Sequence, residues 1–210
     1  MSKMTGCKYC GSLLLLLLLL GITPLTLAAK SLKVGVASGN SQQRKTVPSG
    51  KAVPVPDDWV VMEDKKKGYS FEVPKGTQYS SERSDNIDFF MATPPEPIAV
   101  SVLVMAFKDP KLTKEDLLKV AGGALEGFGG KNVKFGKLTE LSDDYSLATY
   151  TAVNAEGGTV RGKVLVATDV TDNYVMLVGA EDADFKANEK IIDEIWGSFS
   201  MRSGGASGKS

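Results

Sequence analysis

The stretch Thr159-Val160-Arg161-Gly162-Lys163-Val164-Leu165-Val166-Ala167-Thr168-Asp169, followed by Val170-Thr171-Asp172 and then Asn173-Tyr174-Val175-Met176-Leu177-Val178-Gly179-Ala180-Glu181, carries two long apolar runs rich in β-branched residues around a three-residue turn. Runs of this length and composition, bounded by turn formers, predict two strands of one hairpin. Working outward, residues 132–141 and 145–154 repeat the pattern, with Ser142-Asp143-Asp144 and Ala155-Glu156-Gly157-Gly158 as the intervening turns. Four strands joined by loops this short form an antiparallel meander.

Upstream, residues 59–63 make a short apolar run, and Tyr69-Ser70-Phe71-Glu72-Val73 alternates strictly before Pro74-Lys75-Gly76 turns the chain. Residues 78–83 and 87–93 form a second predicted hairpin around Asp85-Asn86, and the nearly continuous apolar run 98–107 is expected at the centre of the sheet. Two helices complete the pattern. The first starts at Thr113, where Thr113-Lys114-Glu115-Asp116 resembles a capping box with Asp in place of Glu. It places Leu117, Leu118, Ala121, Leu125 and Phe128 on one face, with Gly122-Gly123 as a weak point. Gly127-Phe128-Gly129-Gly130 reads as its C-cap and turn. The last helix is expected to take Asp184 as N-cap and to bury Phe185, Ile191, Ile192, Ile195 and Trp196, with Phe199 anchoring the C-terminus. Strands, a helix, four strands and a helix give an α+β layered sandwich: a large antiparallel sheet with two main helices packed on it.

The flanks differ from this core. Lys3 and Lys8, without acids, precede an unbroken apolar run from Leu13 to Leu20, and Thr26-Leu27-Ala28-Ala29 then supplies small residues. This is the pattern of a secretory signal peptide over residues 1–29, cleaved after Ala28 or Ala29; the run is too short for a membrane span. Cys7-x-x-Cys10 lies within it, ahead of the apolar run, so it offers neither a lipid-anchoring Cys nor a lasting redox pair. Residues 30–56, rich in Ser, Gly, Lys and Pro, are expected to be a basic disordered linker, residues 57–201 the folded domain, and residues 202–210 a flexible Gly/Ser tail. That tail ends in Gly208-Lys209-Ser210, but Ser203 stands where a phosphate loop needs Gly and no helix can follow.

Composition narrows the chemistry. The 210 residues contain no His and 2 Cys, both in the predicted signal, so a mature chain of about 180 residues has no Ser-His-Asp or Cys-His catalysis, no His- or Cys-based metal centre and no disulfide. Residues 57–201 hold 16 Lys plus Arg against 25 Asp plus Glu, a net of −9, while the linker carries five cations and no acid. An acidic domain argues against nucleic acid as partner. The linker's dilute charge supports at most a contact with an anionic membrane surface, and the basic Lys65-Lys66-Lys67 run is expected to be solvated.

Tyr69-Ser70-Phe71-Glu72-Val73-Pro74-Lys75-Gly76 near the start of the domain, Ile195-Trp196-Gly197-Ser198-Phe199 at its end, and the strands Val160-Arg161-Gly162-Lys163-Val164 and Asn173-Tyr174-Val175-Met176-Leu177 between them resemble the PsbP-like superfamily over residues 57–199. That group includes PsbP, Mog and the DcrB-type lipoproteins. The resemblance implies an α/β/α sandwich and a non-catalytic role in assembling or stabilising other proteins. No functional residue carries over, because the metal or cofactor contacts suggested for photosynthetic members find no histidine here.

Carboxylates remain as candidates. Glu181, Asp182 and Asp184 gather at a strand end and helix start, with Asp169 and Asp172 at the preceding turn, and oxygen-rich clusters can hold calcium; no calcium-loop pattern is present, and acids at a helix start also serve capping. The expected function is therefore an exported, periplasmic or extracellular, non-enzymatic protein-interaction or assembly module without a cofactor, whose partner is an envelope or extracellular protein. The alternatives are a small-ligand or calcium-binding protein and, further off, a carboxylate-dependent hydrolase.

Overall fold

A computed structural model describes residues 52–83, 87–109 and 111–201. The predicted signal peptide, the C-terminal tail, most of the linker and the Asp85-Asn86 turn lie outside the described residues. The chain divides into two units, Met1–Thr46 and Val47–Ser210, and every described residue belongs to the second.

Eleven strands and three helices follow one another: β1 (Trp59–Asp64), β2 (Tyr69–Pro74), β3 (Gln78–Arg83), β4 (Ile87–Thr93), β5 (Ser101–Phe107), α1 (Lys114–Gly127), β6 (Lys131–Phe135), β7 (Thr139–Glu140), β8 (Tyr145–Val153), β9 (Thr159–Thr168), β10 (Asn173–Glu181), α2 (Asp182–Phe185), α3 (Glu189–Gly197) and β11 (Ser200–Met201). Every strand pair is antiparallel. The large sheet has the order β3-β4-β5-β10-β9-β8-β6, with β7 also on β8. The meander predicted for the second half is thus present, and its last strand, β10, holds the centre expected for residues 98–107. That run is shorter as a strand because Ile98 and Val100, although buried, precede the pairing.

The expected single sheet is two. β1, β2 and β11 form a separate three-stranded sheet of order β1-β2-β11. The small sheet and α3 cover one face of the large sheet, and α1 covers the other. Alternation along β10 shows this: Tyr174, Met176, Val178 and Ala180 enter the core shared with Phe71, Val73, Ile191, Ile192, Ile195 and Phe199, whereas Val175 and Leu177 join Leu117, Ala121 and Tyr150 on the α1 side. A strand covered on both faces needs apolar residues at every position, which is why β5, β9 and β10 appear as near-continuous runs rather than alternating ones. Burying a side chain of this size contributes about 1.5–3 kcal/mol.

Local signals set the helix ends. Thr113 Oγ1 accepts from the Asp116 N–H at 3.1 Å while Asp116 Oδ2 accepts from the Thr113 N–H at 3.3 Å, closing the capping box. At the other end Gly129 takes φ +90°, and the N–H groups of Gly129 and Gly130 donate to the carbonyls of Glu126 and Leu125 at 2.9 Å each, a Schellman cap that a Cβ on Gly130 would clash with. Phe128, expected on the buried face, is the cap residue and is 62% exposed. Gly122 lets the helix approach Phe135 on β6. The predicted last helix is broken: Asp184 lies inside the short α2, its carbonyl accepts from Asn188, and α3 begins afresh at Glu189. Neither N-cap residue, Glu181 or Asn188, makes a side-chain capping bond.

Packing also begins before residue 57. Val53, assigned by the sequence to the linker, is buried and donates its N–H to the Ala187 carbonyl at 2.7 Å; Trp59 Nε1 donates to the Pro56 carbonyl at 2.7 Å.

Candidate functional site

The β1–β2 turn is closed by Asp64. Its Oδ1 accepts from the N–H groups of Lys66 at 3.0 Å and Lys67 at 3.1 Å, its carbonyl accepts from Gly68 at 2.8 Å, and Gly68 takes φ +72°, where glycine is favoured. This geometry turns Lys67 inward, so the lysine run is not uniformly solvated. Lys67 Nζ lies 3.4 Å from Asp88 Oδ2, and the two side chains are 4% and 7% exposed. Arg83 joins the set: its Nη2 is 2.6 Å from Asp64 Oδ2 and its Nε is 4.0 Å from Asp88 Oδ2. Asp88 Oδ2 accepts no hydrogen bond of good geometry, so its charge is balanced by two cations at contact distance. Tyr174 Oη donates to the Lys67 carbonyl at 2.5 Å. Four charges therefore tie the β1–β2 turn to β3 and β4.

Above this network a cleft of about 140 Å³ opens between β1, an outer strand of the small sheet, and β3, an outer strand of the large one. Met62, Glu63 and Asp64 of β1 form one wall; Tyr79, Ser81 and Arg83, the alternate residues of β3, form the other; Tyr69, Phe71 and Phe90 make the floor. The floor belongs to a chain of aromatic contacts through the core. Tyr145 packs edge-on to Phe199, Phe199 stacks on Tyr69, Tyr69 stacks on Phe71, Phe71 meets Phe90 edge-on, and Phe90 stacks on Tyr79 at 5.4 Å. Tyr79, the outer end of that chain, is 63% exposed. Burial first, then the charges of Asp64 and Asp88, push the Tyr69 phenol above its ordinary range; burial does the same to Tyr174, reinforced by Asp172 and Asp169. Both phenols stay protonated at neutral pH and serve as apolar bodies with a donor, as the Tyr174 bond shows.

A second concavity of about 310 Å³ lies among Val53, Pro54, Pro56, Pro74, Pro95 and Pro97. It is open and almost entirely apolar, and no charged groups converge in it beyond Lys75 and Glu96 at its rim.

The acids singled out in the sequence are dispersed into structural tasks. Glu181 Oε1 accepts from Asn154 Nδ2 at 3.2 Å, Asp182 pairs with Arg161, and Asp184 contributes its carbonyl to Asn188. Asp169 Oδ1 accepts from the Val170 N–H at 2.6 Å and Asp172 Oδ2 from Thr171 Oγ1 at 2.9 Å. Among the described residues no three acids gather as a metal site. The acids that line the cleft are Glu63 and Asp64; Asp64 is ion-paired with Arg83, whose Nε also lies 4.0 Å from Asp88 Oδ2 outside the lining. Sequence reasoning missed this network and the cleft. The available signal was β3 itself: Gln78-Tyr79-Ser80-Ser81-Glu82-Arg83 has no buried face, the mark of an edge strand.

Among solved structures, the chain is similar to the solution structure of cyanobacterial PsbP (CyanoP) from Synechocystis sp. PCC 6803, with TM-score 0.50 and 16% identity over 74% of this chain and 98% of that one. The chain has a PsbP-like fold. It is also similar to a crystal structure from Bacteroides thetaiotaomicron VPI-5482, at TM-score 0.44 and 12% identity over 69% of this chain and 49% of that one. Another similar structure is LpqN of Mycobacterium tuberculosis, described as involved in cell envelope biogenesis, at TM-score 0.38 and 16% identity over 75% and 87%. No family model matches the chain, and no curated protein matches it in sequence. The fold is the one the resemblance implied, with the correction that β1 and β2 leave the large sheet. Among the described residues no helix is long and apolar enough to cross a membrane.

Proposed function

We propose that the PsbP-like domain is a non-catalytic protein-interaction or assembly module that works outside the cytoplasm, in the periplasm or beyond it, once the predicted signal peptide is removed. The observation that carries this reading is the division of labour at the cleft. Arg83 in its wall is paired with Asp64 and the neighbouring Lys67 with Asp88, while β3 presents solvent with an edge strand that carries an exposed tyrosine. Such a surface suits docking, since conformationally restricted aromatics give contact area at low entropic cost.

In-cell crosslinking of an affinity-tagged chain at near-native abundance tests the role: a defined envelope or extracellular protein should be captured stoichiometrically. Recovery of the chain alone overturns the reading. N-terminal sequencing of the recovered chain should start at Ala29 or Lys30, and a start at Met1 overturns the export half of the proposal.

A further inference from the structure

The two outer edges of the large sheet differ in their protection. At the β6–β7 edge the strand is interrupted at Gly136, its register shifts between Lys131 and Lys134, and Asn132 takes φ +53°. Lys131, Lys134 and Lys137 lie along it, all exposed. Bulges, breaks and edge lysines are the devices that stop a sheet from accepting another strand. At the opposite edge β3 pairs in continuous register with β4 from Gln78↔Thr93 to Arg83↔Asp88, all six of its residues are exposed, and among the described residues no strand pairs its outer side. It carries no lysine, no proline and no bulge.

We propose that β3 accepts an extended segment of a partner protein as an additional antiparallel or parallel strand, with an apolar side chain of that segment entering the cleft between β1 and β3. This rests on the interaction-module reading and assigns the surface and the chemistry of the partner. Strand addition draws affinity from main-chain hydrogen bonds and specificity from pockets that take alternate side chains. Here the pocket stands on the face that alternation prescribes. Tyr79, Ser81 and Arg83 line the cleft, so a strand laid outside β3 turns every second side chain towards it. The cleft volume of about 140 Å³ gives room for one side chain, and Met62, Tyr69, Phe71, Tyr79 and Phe90 give a Leu or Phe there apolar contacts beside the polar Glu63, Asp64, Ser81 and Arg83. Glu82 on the strand and the net −9 of residues 57–201 favour basic flanks on the incoming segment.

A second copy of this chain does not meet these requirements. On the cleft side its β3 offers only Tyr79, already stacked on Phe90, the short Ser81, and Arg83, already paired with Asp64, so it has no apolar side chain free to fill the cleft.

The test uses the ¹⁵N-labelled full chain and a small set of synthetic peptides of the form Lys-Thr-Xaa-Thr-Xaa-Thr-Lys, with Xaa Leu, Phe or Val, each also made with backbone N-methylation on one edge. The unmethylated Leu or Phe peptide should shift and protect from exchange the amides of residues 78–83. Ser81→Phe, which fills the cleft side, should weaken binding by about tenfold or more, while Ser80→Phe, with the same bulk on the opposite face, should leave it unchanged. Equal binding of methylated peptides, or no shift at residues 78–83 with any peptide, overturns the proposal. A concentration-dependent dimer in sedimentation that Ser81→Phe abolishes assigns the edge to a second copy and also overturns it. If the crosslinked partner of the wild-type chain is retained by Ser81→Phe, docking lies elsewhere and this inference falls while the interaction role stands.

Discussion

One outer strand of the large sheet, β6–β7, is short, interrupted and studded with Lys131, Lys134 and Lys137; the other, β3, is straight, polar and joined to the interior by an aromatic contact from Tyr79 to Phe90. Their attachments differ as well. The β6 side is held by packing: α1 lies against it through Gly122 and Phe135, and Tyr150 on β8, opposite Phe135, lies across Gly162 and Gly179. The β3 side is held by charge, through Lys67, Asp88, Arg83 and Asp64. Among the described residues the edge tied by ion pairs has no strand on its outer side and stands beside the cleft, whereas the edge flanked by lysines and broken at Gly136 is closed to pairing.

The sharpest way to break this contrast is to remove the counter-charge. Asp88→Ala leaves the Lys67 ammonium buried and unpaired, and should lower unfolding free energy in urea by about 3–5 kcal/mol. The double variant Lys67→Met with Asp88→Leu should recover most of it; a loss below about 1 kcal/mol for the single variant would show that charge does not hold the β3 side. On the packed side, a Cβ on Gly162 falls within the space of the Tyr150 ring. Gly162→Ala should therefore cost about 1–3 kcal/mol by overpacking, and Gly162→Ala combined with Tyr150→Ala should cost less than the sum of the two singles.

Smaller effects sharpen the picture. Thr113→Ala removes the cap that starts α1 and should cost about 1 kcal/mol, seen as a lower thermal midpoint. Replacing Lys131, Lys134 and Lys137 by Thr should change stability by no more than about 0.5 kcal/mol, yet it should raise self-association in light scattering if these lysines guard the edge. The capping carboxylate supplies a pH signature. Hydrogen bonds from Lys119 and Thr113 hold Asp116 at about 2, below the ordinary 3.8. A group with a depressed folded value contributes above its ordinary pKa and loses that contribution as pH falls towards 2. The α1 amides should keep their exchange protection at pH 4 and lose it progressively from there towards pH 2, a fall that the Asp116→Asn variant should not show.

Much of the fold was legible because the central strands are covered twice. β9 and β10 declare themselves by continuous apolar residues, and the capping box and Gly-rich stop of α1 are local chemistry. What local pattern does not carry is partnership between distant segments. Alternation in Tyr69-Ser70-Phe71-Glu72-Val73 shows that one face is buried but not that β2 pairs with β1 and β11 instead of joining the large sheet, and a two-residue strand such as β11 has no periodicity to detect. Lys67 is buried because Asp88, 21 residues on, awaits it, so a run of three lysines gave the wrong expectation for one of them. Phe128 continued the helical spacing of its neighbours, but Gly129 ended the helix first. The acids 181, 182 and 184 clustered in sequence and then separated, because two of the three found polar neighbours within the fold.

The placement of β11 also bears on how the chain acquires its shape. Ser200 and Met201 pair with Ser70 and Tyr69, and β5 waits for β10, whose Val175 meets Met105. Neither sheet can be finished from the N-terminal half, so a chain emerging in order from ribosome or channel remains without a closed core until nearly its last described residues arrive. Long-range closure of this kind slows folding, and it leaves a polypeptide that can be threaded before it is set.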